Sequence, residues 1–291
     1  MSIVITGATG NLGRLVIRAL LDRGVEARSI VAAGRDPERL DAAAELGVRT
    51  APIDYADAAS LRAAFEGADR VLLISGSEVG QRVPQHRNAI TAAVEAGVAQ
   101  LAYTSILRAD SSSLMLAEEH LATEEILRDS GLPFVLLRNG WYLENYTEQI
   151  PVYLQVGGVA GSAGDGRISG AARADFAEAA AAVLTGEGHD GAVYELGGDR
   201  AFTMAQVAAE VAEQTGTPLT YQDLPVEAYA EVLEGAGLPP ELAAVLADGD
   251  RGVAADELYV DTGDLSRLIG RPTTPLADAV AAALSRTAPV A

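Results

Sequence analysis

The feature that most constrains this chain is an apolar strand followed by a glycine turn and a helix start, all within residues 2–14. The β-branched run Ile3–Ile5 predicts a buried central strand. Residues 7–13 then read G-x-x-G-x-x-G, and apolar residues at helical spacing begin at Leu12. The N–H groups at a helix start attract an anion, and Gly10 has no Cβ to keep phosphate oxygens from the backbone. The pattern predicts a site for a dinucleotide pyrophosphate, although glycines at this spacing also mark ordinary turns.

Composition excludes several classes of function. The chain has 291 residues, with 21 Lys and Arg against 41 Asp and Glu, and its net charge of −20 opposes nucleic-acid binding. It contains no cysteine, and its three histidines lack metal-ligand spacing, so we expect no metal site. No apolar run has the length of a membrane span and the chain begins directly with a strand, so we expect a cytoplasmic protein.

Short apolar runs alternate with amphipathic segments through the first half of the chain. This alternation predicts an α/β fold with a Rossmann-like, doubly wound parallel sheet. The expected strands are Ile3–Ile5, Ala27–Ala33, Val48–Ile53, Arg70–Ile74, Gln100–Thr104 and Phe134–Arg138. After residue 138 the alternation breaks, in a stretch rich in glycine and aromatic residues. We expect an NAD(P)-binding domain over residues 1–150 and a smaller α+β substrate lobe over 151–291, with some segments returning to the first domain.

The residues after the second strand bear on which dinucleotide is bound. NAD-preferring folds place an acidic residue there to hold the ribose 2′-hydroxyl. Here the strand tip is apolar and Arg35 follows, whose guanidinium suits a 2′-phosphate. We therefore expect NADPH, with NADH possible because Asp36 is adjacent, although its place before Pro37 suits a helix N-cap. A solvated surface charge is the alternative for Arg35.

Polar and small residues also follow the next three strands, at the edge where ligands bind an open α/β sheet. Asp54 and Tyr55 are expected to border adenine, unless this segment is a plain loop in which Asp57 caps the next helix. The small residues after the fourth strand leave room for the nicotinamide ribose. The full set of candidate cofactor residues is Thr6, Gly7, Thr9, Gly10, Asn11, Leu12, Gly13, Arg35, Asp54, Tyr55, Ser75, Gly76, Ser77 and Thr104.

Longer segments resemble a known family. TGATGNLG at residues 6–13, GRDP at 34–37 and DYAD at 54–57 resemble the NmrA-like branch of the atypical short-chain dehydrogenases. Within that branch, LLISGSEVGQRVPQHRN at 72–88 and LRNGWYLENY at 137–146 are similar to the bacterial NAD(P)H:quinone oxidoreductases of type 2. The resemblance covers nearly the whole chain. It implies a two-lobed monomer or homodimer, NADPH as the hydride donor and a quinone as the acceptor.

The chain cannot form the usual proton donor of short-chain dehydrogenases. That donor is a tyrosine followed four residues later by lysine, and this chain has no lysine. The absence disfavours alcohol dehydrogenation, in which a proton moves in step with the hydride. Many NmrA-like reductases carry Lys-x-x-x-Glu where this sequence has His120 and Glu124. His120 and Ser105 are the catalytic candidates, although His120 could equally fill space on its helix, and for His86 a structural role is favoured.

Quinone reduction fits a site without a protein acid, because a hydroquinone anion takes its proton from water. Asn139 is expected to donate to a quinone oxygen, and Trp141 and Tyr142 to stack on the ring. The two aromatic side chains could instead be core between the lobes. Two other functions stay open: a non-catalytic, NmrA-like dinucleotide sensor, and a reductase of azo or triphenylmethane dyes.

Overall fold

Seven parallel strands form the central sheet of the computed structural model, which describes residues 1–287. The described residues contain these seven strands and two others, β7 and β9, which lie outside the central sheet. In chain order they are β1 Ile3–Ile5, β2 Ile30–Gly34, β3 Arg49–Pro52, β4 Arg70–Leu73, β5 Gln100–Ile106, β6 Phe134–Asn139, β7 Val159–Gly161, β8 Val193–Leu196 and β9 Tyr221–Asp223. The main sheet has the order β3-β2-β1-β4-β5-β6-β8, with every neighbouring pair parallel. The order reverses between β1 and β4, which opens a crevice at the carboxyl ends of the strands. The predicted Rossmann-like fold is confirmed.

Some helices cover both faces of this sheet, and others build the C-terminal part of the chain. They are α1 Asn11–Asp22, α2 Pro37–Ala44, α3 Ala58–Phe65, α4 Arg82–Glu95, α5 Met115–Asp129, α6 Glu144–Thr147, α7 Ile150–Val156, α8 Arg173–Thr185, α9 Met204–Thr215, α10 Val226–Gly235, α11 Pro240–Ala254, α12 Asp264–Ile269 and α13 Leu276–Thr287. Ile3 and Ile5 belong to one core with α1, α2 and α8, while Val4 belongs to another with α3, α4 and α5. The alternation follows because successive strand side chains point to opposite faces. Each such fully buried side chain contributes roughly 1.5–3 kcal/mol.

A third core lies in the C-terminal part of the chain. It joins α6, α9, α11 and α13 around side chains such as Tyr146, Phe202 and Val280. β7 and β9 form a separate two-stranded parallel sheet there. In contrast, β8 pairs with β6 and α8 packs on α1, so these two later elements complete the sheet and its cover. The domain boundary at residue 150 stays a prediction, and residues 288–291 of the expected lobe lie outside the described residues.

Several element bounds differ from the sequence expectation. β2 begins at Ile30 because residues 27–29 form a 3₁₀ turn. The sequence predicts a helix over Pro239–Leu246, whereas α11 continues to Ala254. β7, α6, α7 and α12 are short elements that the sequence pattern did not indicate. In the described part of the chain, no helix is both long and apolar enough to cross a membrane.

Candidate functional site

The glycine turn between β1 and α1 has the geometry that an anion site needs. Gly7 has φ of +59°, which L side chains rarely adopt. A Cβ on Gly13 would lie 2.4 Å from the carbonyl oxygen of Gly7, so the helix start packs directly on the turn. Gly10 is the N-cap of α1 and has no side chain to cap it. The first N–H groups of the helix, which have no intrahelical partner, are therefore left for a ligand.

A cleft of about 350 Å³ lies at the carboxyl edge of the sheet, beside this turn. Most of the expected cofactor residues line it, namely Gly7, Thr9, Gly10, Arg35, Asp54, Tyr55, Ser75, Gly76 and Ser77. The expected residues that do not line it are Thr6, Asn11, Leu12, Gly13 and Thr104. Sequence reasoning missed further lining residues, namely Gly34, Arg39, Ile53, Ile74, Glu78 and Gln85. The structure thus brings together the turn and the ends of β2, β3 and β4.

Gly34 shows why one of the missed positions is small. A Cβ at Gly34 would lie 2.7 Å from Cγ2 of Thr9, so the tip of β2 and the glycine turn are in direct contact. Neither the strand pattern nor the turn motif indicates this contact, because the two residues come together only when β2 pairs beside β1. The contact between Gly34 and Thr9 fixes the position of the glycine turn against β2, where both residues line the cleft.

Tyr55 is anchored at the crevice where the strand order reverses. Its hydroxyl lies 2.6 Å from Oγ1 of Thr6 and donates to the carbonyl oxygen of Ile74 at 2.7 Å. Thr6 Oγ1 also accepts from the N–H of Ile74 at 3.0 Å and donates to the carbonyl of Leu72. Burial raises the pKa of the Tyr55 phenol above its usual range. Thr6 therefore holds the Tyr55 hydroxyl, and Tyr55 lines the cleft.

Asp54 is exposed at the rim, and part of its carboxylate is already used. Its Oδ1 accepts the N–H of Ala56 at 2.8 Å, which stabilises the turn after β3. Asp57 caps α3 by accepting the N–H of Ala59 at 2.9 Å. The two alternatives considered for this segment therefore coexist: a capped helix follows, and Asp54 still lines the cleft.

Two arginines on the rim of the cleft both form ion pairs. The Arg35 guanidinium donates to Oε1 of Glu78, which lies on the opposite wall. Arg39 pairs through Nε with Asp36 at 3.2 Å. Asp36 also caps α2 by accepting the N–H of Arg39, as its position before a proline predicted. Arg35 is thus neither an isolated surface charge nor a free phosphate ligand in this conformation.

The loop after β4 is fixed at two points. The N–H of Gly76 donates to Nε2 of His86 at 3.0 Å, and its carbonyl accepts from Nε of Arg82 at 2.9 Å. The N–H of Gly80 donates to Oε1 of Glu119 at 2.9 Å, and Glu119 also pairs with the buried Arg82. These hydrogen bonds fix the loop after β4, which forms one wall of the cleft.

The protonation state of His86 follows from its partners. Because Nε2 accepts a backbone N–H, the ring proton sits on Nδ1 and is donated to Oγ1 of Thr123 at 3.0 Å. Burial, with a smaller effect of the Arg82 charge, lowers the pKa of His86 to about 3. His86 is therefore neutral and structural, as the sequence favoured.

His120 is buried beside Tyr103 rather than open to the cleft. Its Nδ1 lies 2.8 Å from the Tyr103 hydroxyl, and Tyr103 is fully buried. Burial first, and then the charges of Arg82 and His86, hold the pKa of His120 well below its usual value. The ring is thus neutral near pH 7.

Among residues 1–287, no group of three or more acidic or histidine side chains could hold a metal ion.

Ser105 is committed to a buried ionic network. Its hydroxyl donates to Oε1 of Glu124 at 2.6 Å. Glu124 is fully buried and receives two hydrogen bonds from Arg138, at 2.9 and 2.7 Å, and one from Arg128. Arg138 also donates to Glu195 on β8. The Ser105 proton is therefore bound to a carboxylate and is not free to act as an acid.

The expected acceptor residues lie where β6 ends. Oδ1 of Asn139 is buried and has no hydrogen-bond partner within residues 1–287. Tyr142 is half-buried, with its ring edge-on to Phe176 at 5.3 Å and the Arg173 guanidinium 5.1 Å above its centre. Trp141 is half-buried on another core, against α11, where a Cβ on Gly249 would lie 3.2 Å from its ring. The two aromatic residues thus separate onto different cores.

Comparisons with known proteins agree with this geometry. A family model described as NAD(P)H-binding matches residues 7–187. Quinone oxidoreductase 2 of Escherichia coli K12 is 51% identical over 278 residues, covering 96% of this chain and 97% of the relative.

Two solved structures are similar along almost the whole chain. The crystal structure of an NADPH-dependent quinone oxidoreductase from Escherichia coli, complexed with NADPH, has a TM-score of 0.94 at 51% identity and covers 97% of this chain and 99% of that one. The Citrobacter sp. triphenylmethane reductase complexed with NADP(H) has a TM-score of 0.93 at 35% identity, covering 97% and 100%. This chain belongs to the NAD(P)H-binding, NmrA-like family that its sequence motifs predicted.

Proposed function

We propose that this protein transfers a hydride from NADPH to a quinone. The observation that carries the proposal is the uncapped glycine turn facing a cleft with two arginines on its rim. It occurs in a chain that is 51% identical to a quinone oxidoreductase over 96% of its length. NADH is a possible second donor, since the cleft rim also carries carboxylates.

The residues of the cleft fit a dinucleotide. Gly10 and the free N–H groups of α1 suit the pyrophosphate, and Arg35 and Arg39 suit a 2′-phosphate. Asp54 and Tyr55 border the place for adenine. The other expected residues support this set, because Thr6 braces the crevice, Thr104 accepts the N–H of Ser75 at 2.9 Å, and residues 11–13 form the helix start. When bound, NADPH supplies the hydride.

The residues after β6 are proposed to hold the acceptor. The buried Asn139 amide has one end without a protein partner among the described residues, and it is hydrogen-bonded to the Tyr142 side chain. In the orientation we propose for this amide, its oxygen accepts from the Tyr142 hydroxyl and the Asn139 NH₂ is left to donate to a quinone oxygen. Trp141, half-exposed beside α11, offers a flat face for the ring.

No protein acid is required by this proposal. Ser105 is bound to Glu124, and His120 is neutral and bound to Tyr103. The hydroquinone anion takes its proton from water. We expect His120→Gln to leave single-turnover hydride transfer within about tenfold, below the roughly 10²–10⁴-fold that a general acid contributes.

A steady-state assay of NADPH oxidation against a panel of quinones, azo dyes and triphenylmethane dyes tests the proposal. We expect the highest kcat/KM with a quinone. A higher kcat/KM with a triphenylmethane dye would favour a dye reductase, a possibility that the match to the Citrobacter enzyme supports. NADPH binding without oxidation by any acceptor would favour the non-catalytic dinucleotide sensor.

A cytoplasmic location and a homodimer remain predictions of the sequence.

A further inference from the structure

A carboxylate lies on the wall of the cleft opposite Arg35. Glu78 follows β4 and lines the same cavity, and its Oε1 accepts a hydrogen bond from the Arg35 guanidinium. Its Oε2 accepts from Nε2 of Gln85 at 2.8 Å, and Gln85 is buried. The carboxylate is therefore held between two donors. The Arg35–Glu78 pair joins the β2 wall of the cleft to the β4 wall.

The backbone on each side of Glu78 is fixed. Gly76 is held at its N–H by His86 and at its carbonyl by Arg82, and Gly80 is held by Glu119. Glu78 lies between these two anchors. Its carboxylate therefore cannot leave the cavity wall without breaking the bond to Gln85 or moving an anchored loop.

Glu78 is charged under ordinary conditions. The hydrogen bond from Gln85, followed by the hydrogen bond and charge of Arg35, holds the pKa of the Glu78 carboxyl below its usual value. A carboxylate and a 2′-phosphate both bind a guanidinium, and they repel each other. Glu78 is bonded to Nη1 of Arg35. A 2′-phosphate that takes this donor therefore displaces Glu78.

Resting on the proposed NADPH-binding role, we propose that Glu78 is a specificity-determining residue that competes with the 2′-phosphate of NADPH for the Arg35 guanidinium. NADH carries a hydroxyl at this position and leaves the ion pair intact. Glu78 thus lowers the preference for NADPH over NADH that Arg35 alone would give. The enzyme keeps access to both donors because one arginine is shared between a ligand and a neighbouring carboxylate.

The test uses two nucleotides that differ only in the 2′-phosphate, namely 2′,5′-ADP and 5′-AMP. Calorimetric titration compares the wild type with Glu78→Gln, which keeps the shape and a bond to Arg35 but removes the charge. Arg35 and Glu78 are 61% and 41% exposed, so solvent screens their interaction. We expect 2′,5′-ADP to bind about three- to fivefold more tightly to the variant, and 5′-AMP to change less than about twofold. Glu38→Gln is the matched control, since Glu38 is exposed on α2 near the same rim and forms no ion pair with the described residues. It should change neither affinity.

The same titrations in an Arg35→Gln background identify the cause. If Glu78 acts by competing for Arg35, Glu78→Gln should no longer strengthen binding of 2′,5′-ADP there. An equal gain in both backgrounds would mean direct repulsion and would overturn the competition. An unchanged ratio of the two nucleotides in Glu78→Gln would overturn the role of Glu78 while leaving the proposed function intact. A wild type that binds neither nucleotide would instead overturn the dinucleotide site itself.

Discussion

The dinucleotide end and the acceptor end of this site are built in different ways. The dinucleotide end depends on the backbone of a glycine turn, a helix start and one strand tip. At Gly10, Gly13 and Gly34 a Cβ would come within about 3.2 Å of a neighbouring atom, so each position favours glycine. The acceptor end depends on side chains that a buried charge network supports, centred on Glu124 and Arg138. We infer that a side chain added at the cleft-facing Gly10 will remove binding, and that substitutions in the charge network behind the second end will first remove stability.

The largest effect is expected from Glu124→Ala. The substitution leaves Arg138 buried without its main partner, and breaking a buried ion pair in this way costs about 3–5 kcal/mol. Glu125→Ala is the matched control, because Glu125 is exposed on the same helix, and it should change stability by less than about 0.5 kcal/mol. Urea unfolding measures both. Similar losses for the two variants would show that the network does not support the acceptor end.

The next effect separates two glycines of the same turn. Gly10 has φ of −81°, and its Cβ would lie 3.2 Å from the Gly7 oxygen, so Gly10→Val should fold while its branches block the anion. We expect NADPH affinity to fall at least about a hundredfold, or about 2.7 kcal/mol, with little change in melting temperature. Gly13→Ala should instead lower the melting temperature, because its Cβ would lie 2.4 Å from that oxygen. Calorimetry and thermal unfolding distinguish them, and normal NADPH affinity in a folded Gly10→Val protein would contradict this role of the turn.

The glycine turn could be predicted because its residues are contiguous, whereas the packing around the predicted acceptor residues could not. Gly249 and Gly252 let Trp141 and Leu114 approach α11, and no local pattern indicates these contacts. The sequence predicts a strand over Ala192–Leu196, but nothing local to it indicates that β8 joins the main sheet beside β6. Glu78 carried no local signal either, since its partner Arg35 is distant in the chain. Long-range pairing, rather than periodicity, decides these features.

The pH dependence of stability sharpens the comparison, because His86 fixes the loop between the two ends. Its pKa of about 3 lies below the ordinary 6.5, so the unfolded chain binds a proton that the folded protein excludes. The stability linked to His86 is present above pH 6.5 and is lost as the pH falls towards 3, at up to about 1.4 kcal/mol per pH unit. Urea unfolding at pH 7, 6 and 5 should show a shallower slope for His86→Gln than for the wild type. If the free energy of unfolding changes equally with pH in both proteins, the fold does not lower the pKa of His86.

A smaller effect is expected at the acceptor end itself. Asn139→Ala removes the amide proposed to donate to the quinone, and we expect the quinone KM to rise about five- to tenfold, in the range of one lost hydrogen bond. NADPH affinity should stay within about twofold. Asn145→Ala is the matched control, since Asn145 is exposed nearby on α6. A rise in the KM for NADPH with an unchanged quinone KM would place Asn139 at the dinucleotide end.

The most direct test of the central claim is stopped-flow absorbance of the enzyme–NADPH complex mixed with excess quinone. Hydride transfer to a quinone predicts a single-turnover loss of the nicotinamide absorbance. Its rate should be nearly constant between pH 5.5 and 8, because the pKa of His120 lies well below its usual value and no protein acid titrates in that range. A complex that binds NADPH but keeps its absorbance with every quinone would contradict catalysis. A rate that falls tenfold per pH unit above about 6.5 would contradict the absence of a protein acid.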